Sequence, residues 1–224
     1  MQQNGGIAMI RVSSLAPVLA ELDRRGLPSD SLLKRHLLSR PLLADSYAEI
    51  PLARYLASLE DAARLAGDPL LCARVGTGFR PIDLGPVGLL FAASSSLRRG
   101  LERLAHSLNA WQDGTAIRVE AESTALIWTY RIAAPEAGPH RQDSEYTLAA
   151  TLALARHVFG AAGRPVEIHV EHDVPADASG LARILGMRPQ YGQTANRLIF
   201  DRAGAERVLR PEEQGLMAVL TRHV

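Results

Sequence analysis

The sequence predicts an α+β fold, with an N-terminal helical layer packed on an antiparallel or mixed β-sheet that also carries a long helix. Three observations lead there. Apolar residues recur at helical spacing from residue 12 to about residue 110, switch to strict alternation at Ile117, and return to one long helical stripe between Arg141 and Phe159. No linker of disordered composition separates the halves. One unit over residues 1–224 is therefore expected, with a helical part at 12–110, a sheet-containing part at 115–201 and a terminal helix at 211–224.

Val12, Leu15, Ala16, Leu19 and Leu22 form the first stripe, with Ser13 or Ser14 as N-cap, Pro17 tolerated in the first turn and Gly26 as the stop. A second helix should begin at Ser29 or Asp30 and end before Pro41. In the third, Pro51 takes the first position, Leu52, Tyr55, Leu56, Leu59, Ala63 and Ala66 share a face, and Gly67 lies past the end. Asp68-Pro69 caps a fourth helix carrying Leu71 and Val75. The stretch from Gly76 to Pro81 reads as a loop that feeds the turn Leu84-Gly85-Pro86. Val87 to Ala93 is apolar nearly all round and so should be central, and Ser94 to Ser96 then cap a helix whose face is Leu97, Leu101, Leu104, Ala105 and Leu108.

Ile117, Val119 and Ala121 alternate with charged residues, Ser123-Thr124 turns the chain, and Leu126, Trp128, Tyr130 and Ile132 alternate back: a β-hairpin. The long helix follows, with Leu148, Leu152, Ala155 and Phe159 along one stripe. A strand at Val166-Ile168-Val170, a short helix from Ala178 to Leu185, and a closing strand pair near Arg188 to Tyr191 and Arg197 to Phe200 complete the sheet. In the terminal segment, Leu216, Met217 and Leu220 mark the helical face.

Three short motifs stand out in order: Leu84-Gly85-x-x-Gly88 running to Ser94, Arg141-Gln142-x-x-Glu145 at the start of the long helix, and Asn196-x-Leu198-x-Phe200 in the last strand. As a set they resemble the N-terminal effector-binding, arabinose-binding-like domain of AraC/XylS-family bacterial transcription regulators, from about Leu15 to Val224. The resemblance implies a small-molecule sensor that dimerises and is not an enzyme. Its effectors would be drawn from a range running from amino acids and sugars to fatty acids. It also implies that DNA is contacted only through a C-terminal pair of helix-turn-helix units, which this sequence lacks.

Composition agrees with that expectation. The net charge is +1 and Lys34 is the only lysine, so there is no dense basic face for nucleic acid. No apolar run reaches membrane-spanning length, and Met1 to Ser14 lacks a secretion-signal pattern. The lone Cys72 cannot form an internal disulfide and sits in an apolar run, which points to an inert buried thiol and a cytoplasmic setting.

For the effector site, Trp128 and Tyr130 are large amphipathic side chains on one hairpin face, as suits either a pocket wall or a core. His140 and Arg141, at a helix start, could hold a carboxylate, which would favour a small amphipathic carboxylate as effector; alternatively Arg141 pairs with Glu145 on the surface and matters little for stability. Phe91, within the first motif, and Arg80, just before it, complete the candidate set. Glu167, His169, Glu171, His172 and Asp173 could suggest a metal, but no second cluster with ligand spacing exists, and alternation of this kind is also what a solvent-facing strand shows. Neither a metal nor any cofactor is expected. No nucleophile elbow, P-loop or dinucleotide fingerprint is present. The rival readings are a stand-alone binding or scaffolding module, and a small enzyme using His169, His172 or Asp173.

Overall fold

The computed structural model describes residues 7–45, 47–134 and 140–222. Its N-terminal layer is closed by a ribbon that periodicity does not reveal. Strand β1 (Met9–Arg11) pairs antiparallel with β2 (Glu49–Pro51), Ile10 opposite Ile50. Three-residue strands are too short to show alternation. Between them lie a 3-10 turn (Val12–Leu15), helix α1 (Ala16–Arg24), α2 (Ser29–Arg35) and α3 (Arg40–Ala44). Ser13 and Ser14 belong to the 3-10 turn, and α1 has no side-chain cap. The second helix stops well before Pro41, which instead opens α3, because a first-turn position has no intrahelical N–H bond to lose. Helix α4 (Leu52–Ala66) follows Pro51 and ends at Gly67, whose φ of 57° is left-handed.

Helix α5 (Leu71–Thr77) runs further than expected, taking in Gly76 and Thr77 instead of leaving them in a loop. Tertiary contact explains this. A Cβ at Gly76 would lie 2.7 Å from the Tyr146 carbonyl oxygen and 2.9 Å from the Ala149 Cβ, so the missing side chain lets two helix backbones touch. After a 3-10 turn (Pro81–Leu84) come α6 (Gly85–Ala92) and α7 (Leu97–Trp111), the latter capped by the Ser96 hydroxyl, which accepts from the Arg99 N–H at 3.4 Å.

The main sheet has the order β3-β4-β6-β5 and is antiparallel, with β3 (Thr115–Ala121), β4 (Ala125–Ile132), β5 (Glu167–His169) and β6 (Asn196–Asp201). Ile117 stands opposite Tyr130 and Val119 opposite Trp128, as the hairpin pattern requires. Residues 188–191 do not form the expected strand. Gln190 makes one parallel bridge to His169, donating to the Ile168 carbonyl and accepting from the Val170 N–H, and Gly192, at a left-handed φ of 66°, then turns the chain so that the register breaks off. Helix α8 (Arg141–Phe159) crosses beneath the sheet, followed by α9 (Ala178–Leu185), α10 (Arg202–Glu206) and α11 (Gln214–Thr221). The terminal helix is thus shorter than the expected 211–224, whose last two residues lie outside the described ones. Among the described residues no helix is long and apolar enough to cross a membrane.

Two hydrophobic cores result. Val12, Leu15, Leu19, Leu22, Leu56 and Leu59 fill the first; Phe91, Leu97, Leu101, Trp128, Leu198 and Phe200 fill the second. Helices α5 and α8 serve both: Leu71, Cys72 and Tyr146 face the first core, while Leu70, Ala73, Leu148 and Leu152 face the second.

The Gly76 contact sets a test. Alanine normally favours a helix over glycine, yet Gly76→Ala should destabilise by about 1–3 kcal/mol through overpacking. Gly78→Ala, at right-handed φ −82° with its nearest Cβ neighbour at 3.4 Å, should be neutral or stabilise by up to about 1 kcal/mol. Denaturant unfolding of the two variants measures the contrast, and equal midpoints would remove the close approach as the reason for glycine.

Candidate functional site

The first turn of α8 buries four polar residues in succession, Gln142, Asp143, Ser144 and Glu145. A helix start leaves backbone N–H groups that need acceptors. Here α4 supplies one: the Glu60 carboxylate accepts from the Gln142 N–H at 2.9 Å. The Gln142 side chain accepts from the Cys72 N–H at 3.3 Å and donates to the Pro69 carbonyl at 2.8 Å, tying α8 to α5. Arg141 donates to Glu145 at 2.6 Å and to Asp177 at 2.8 Å, and the wholly buried Glu145 also faces His172 Nε2 at 3.2 Å. Asn196 joins from β6, donating to Glu171 at 2.7 Å and accepting from its backbone N–H at 3.1 Å. The Arg-Gln-x-x-Glu motif and Asn196 therefore build a buried polar clamp. Arg141 is not a dispensable surface partner of Glu145: its removal would strip a buried carboxylate of its guanidinium.

Asp143 sits at the centre, accepting from the Tyr130 hydroxyl at 2.6 Å and from Tyr55. Burial pushes its carboxyl up to about 6, against the opposing effects of the Tyr130 hydrogen bond and the His140 charge. Trp128 stacks on Tyr130 with centroids 6.3 Å apart and an interplanar angle of 15°, and its indole N–H is buried without a partner. Phe91 lies in the same core, edge-on to Phe159 at 5.3 Å. Cys72 is buried among Leu71, Leu59 and Tyr146, and burial drives its thiol well up, leaving no thiolate to react.

Two cavities open elsewhere. One, of about 350 Å³, lies between the end of α5, the C-terminal half of α8 and α9. Phe79, Ala149, Leu152, Ala153 and Ile184 give it apolar walls, and Arg80, Arg156 and His157 a basic rim. The other, of about 580 Å³, lies between α7 and the end of α11, where Arg99 and Arg103 line it but already pair with Glu212. Of the six residues singled out from the sequence, Trp128 and Tyr130 come together with His140 close enough for its charge to act on Asp143. Arg141 joins its own carboxylates, and Phe91 is core. Only Arg80 lines either cavity.

Arg156 escaped notice in the sequence because it falls one turn past Leu152 on a helix apolar on several sides. His169 pairs with Glu167 at 3.2 Å, and His172 Nδ1 lies 2.9 Å from the Asp173 carbonyl oxygen. Among the described residues no three His, Cys, Asp or Glu side chains are placed to hold a metal ion.

Asp143 gives a pH signature. Its folded value of about 6 lies above the ordinary carboxylate range near 4, so between those values the folded state binds more protons than the unfolded one and stability falls as pH rises. The paired carboxylates Glu21, Asp23 and Glu212, each lowered to about 2, act in the opposite sense at lower pH, losing their contribution as pH falls. Asp143→Asn should flatten the decline between about pH 4 and pH 6 in denaturant titrations. A slope that persists in the variant would assign the proton to another group.

A search of curated proteins found no match. Among solved structures, the crystal structure of transcriptional regulator CdpR from Pseudomonas aeruginosa is similar, with a TM-score of 0.65 and 11% identity. The alignment covers 100% of this chain and 63% of that one, so this chain spans less than two thirds of its neighbour, and at that identity the likeness is one of fold. The family described as arabinose-binding domain of AraC transcription regulator, N-term, matches residues 26–209, which take in all three motifs and every residue of the clamp and of the smaller cavity. The chain therefore belongs to the family of N-terminal arabinose-binding domains of AraC transcription regulators.

Proposed function

We propose that this chain is the sensing part of a transcription regulator, binding a small effector and altering how the segment after β6 is held, with DNA contacted by residues outside it. The observation that carries this reading is a latch. Glu212 accepts from Arg103 at 2.9 and 2.7 Å and from the Ser95 N–H at 2.8 Å. Arg210 donates to the carbonyls of Ala92 and Val158, each at 2.7 Å, and lies over the Phe159 ring at 5.4 Å.

Val158 and Phe159 directly follow Arg156 and His157, which rim the smaller cavity. One end of α8 thus touches both a ligand-sized space and the exit of the chain. An effector shifts the latch only if it binds one arrangement of α8 better than the other. Helices α5 and α8 contribute to both cores, which supports a single cooperative unit. The enzyme reading has less support, since His169, His172 and Asp173 line neither cavity.

We also propose that the domain self-associates through α11, which leaves Leu216 and Val219 exposed while Leu220 is buried.

Hydrogen exchange tests the latch. Glu212→Gln should speed exchange across residues 207–221 and leave α8 and the sheet protected, and a stabilising effector found by thermal-shift screening should alter the same amides. An effector that stabilises the fold without touching those amides would refute the reading. For self-association, light scattering should show a dimer that Leu216→Glu with Val219→Glu converts to monomer. A wild-type protein that stays monomeric to high micromolar concentration would rule the surface out.

A further inference from the structure

Arg156 is a half-buried guanidinium with few partners in this fold. It donates to one acceptor, the Leu185 carbonyl, and has no carboxylate partner among the described residues. Burial and the like charge of Arg164 both disfavour its charged form. A partly desolvated cation without a counter-ion is costly, and most other buried or half-buried charges here are matched: Arg141 by Glu145 and Asp177, Arg103 by Glu212, Arg25 by Glu21 and Asp68. Arg156 faces a cavity that offers it no such partner. That cavity of about 350 Å³ has no acidic residue in its lining, a second guanidinium at Arg80 and walls of Phe79, Leu152 and Ile184. Arg80 is mostly exposed, and its one carboxylate neighbour, Asp83, stands 3.8 Å away, beyond hydrogen-bonding distance.

We infer that this cavity binds a small organic carboxylate with an apolar body, the carboxylate meeting Arg156 and Arg80 and the body lying against Phe79, Leu152 and Ile184. The inference rests on the sensing reading above and names the chemical class sensed. A guanidinium presents paired N–H donors that match a carboxylate's two oxygens, which a neutral amide cannot reproduce. The apolar walls would gain nothing from a bare inorganic anion. At the start of α8, by contrast, the Gln142 N–H and the Arg141 guanidinium are already met by Glu60, Glu145 and Asp177.

Calorimetric titration of the folded protein with phenylacetate, hexanoate, their amides and inorganic phosphate tests the assignment. At least one acid should bind, on the order of tenfold or more tightly than its amide and than phosphate. Arg156→Met should weaken the acid by a similar factor while the unfolding midpoint without ligand stays level or rises, because an unmatched charge has been removed. Arg80→Met, an exposed change that spares the fold, should weaken the acid to a smaller extent. The carboxylate site is overturned if neither acid binds, if amide or phosphate binds as well as the acid, if both variants keep wild-type affinity, or if Arg156→Met lowers the midpoint. Each of those results leaves the latch reading intact, because exchange at residues 207–221 is judged separately.

Discussion

At Gly76 the absence of a side chain lets α5 lie so close to α8 that a Cβ would fall 2.7 Å from the Tyr146 carbonyl oxygen. Both hydrophobic cores depend on that contact. The paired helices form a wall with Leu71, Cys72 and Tyr146 on one side and Leu70, Ala73 and Leu148 on the other, so a change in their spacing would loosen the packing on both faces. The first turn of a helix surrounded in this way has no solvent for its polar groups. The Gln142 N–H and the Arg141 guanidinium at the start of α8 are satisfied from within, by Glu60 and by Glu145 and Asp177.

That requirement divides α8 into two ends with different tasks. Its first turn is a buried polar network reaching α4, α5 and the loop after β5, in which Arg141 meets Glu145 and Asp177 while Glu145 Oε2 and Asp177 Oδ2 accept no hydrogen bond among the described residues. Its last turns face a cavity through Arg156 and hold the tail through Val158 and Phe159, with an arginine that lacks a counter-ion. Buried, satisfied networks rigidify a fold, whereas an unmatched charge beside open space can gain from a ligand.

The family motifs acquire physical meanings in this light. Arg141, Gln142 and Glu145 hold the long helix in place. Gly88 serves packing as well, since a Cβ there would lie 1.9 Å from the Pro81 carbonyl oxygen. Asn196 binds the backbone N–H and side chain of Glu171, fixing the β6 edge to the loop beyond β5. The motifs that mark the family are in this chain mostly the fasteners of its scaffold, whereas the cavity is lined by residues outside the Arg-Gln-x-x-Glu and Asn-x-Leu-x-Phe motifs.

Local pattern sufficed wherever an element was long and one-sided. The hairpin at 115–132, α4 with Gly67 at its end, α8 from Arg141 to Phe159 and the α+β class itself follow from periodicity and caps, which act between residues a few positions apart. The ribbon of β1 and β2, the extension of α5 through Gly76 and the failure of 188–191 to pair as a strand depend on partners far along the chain or on a turn that alternation does not reveal. The same division holds for function. Sequence motifs pointed to a sensor of the AraC type and to aromatic and basic candidates, but which side chains Trp128, Tyr130 and Arg141 touch was decided by tertiary packing. It stacked the rings in the core, gave Arg141 two carboxylates and left Arg156 without one, because charge matching is settled by proximity in space, which spacing along the chain does not encode.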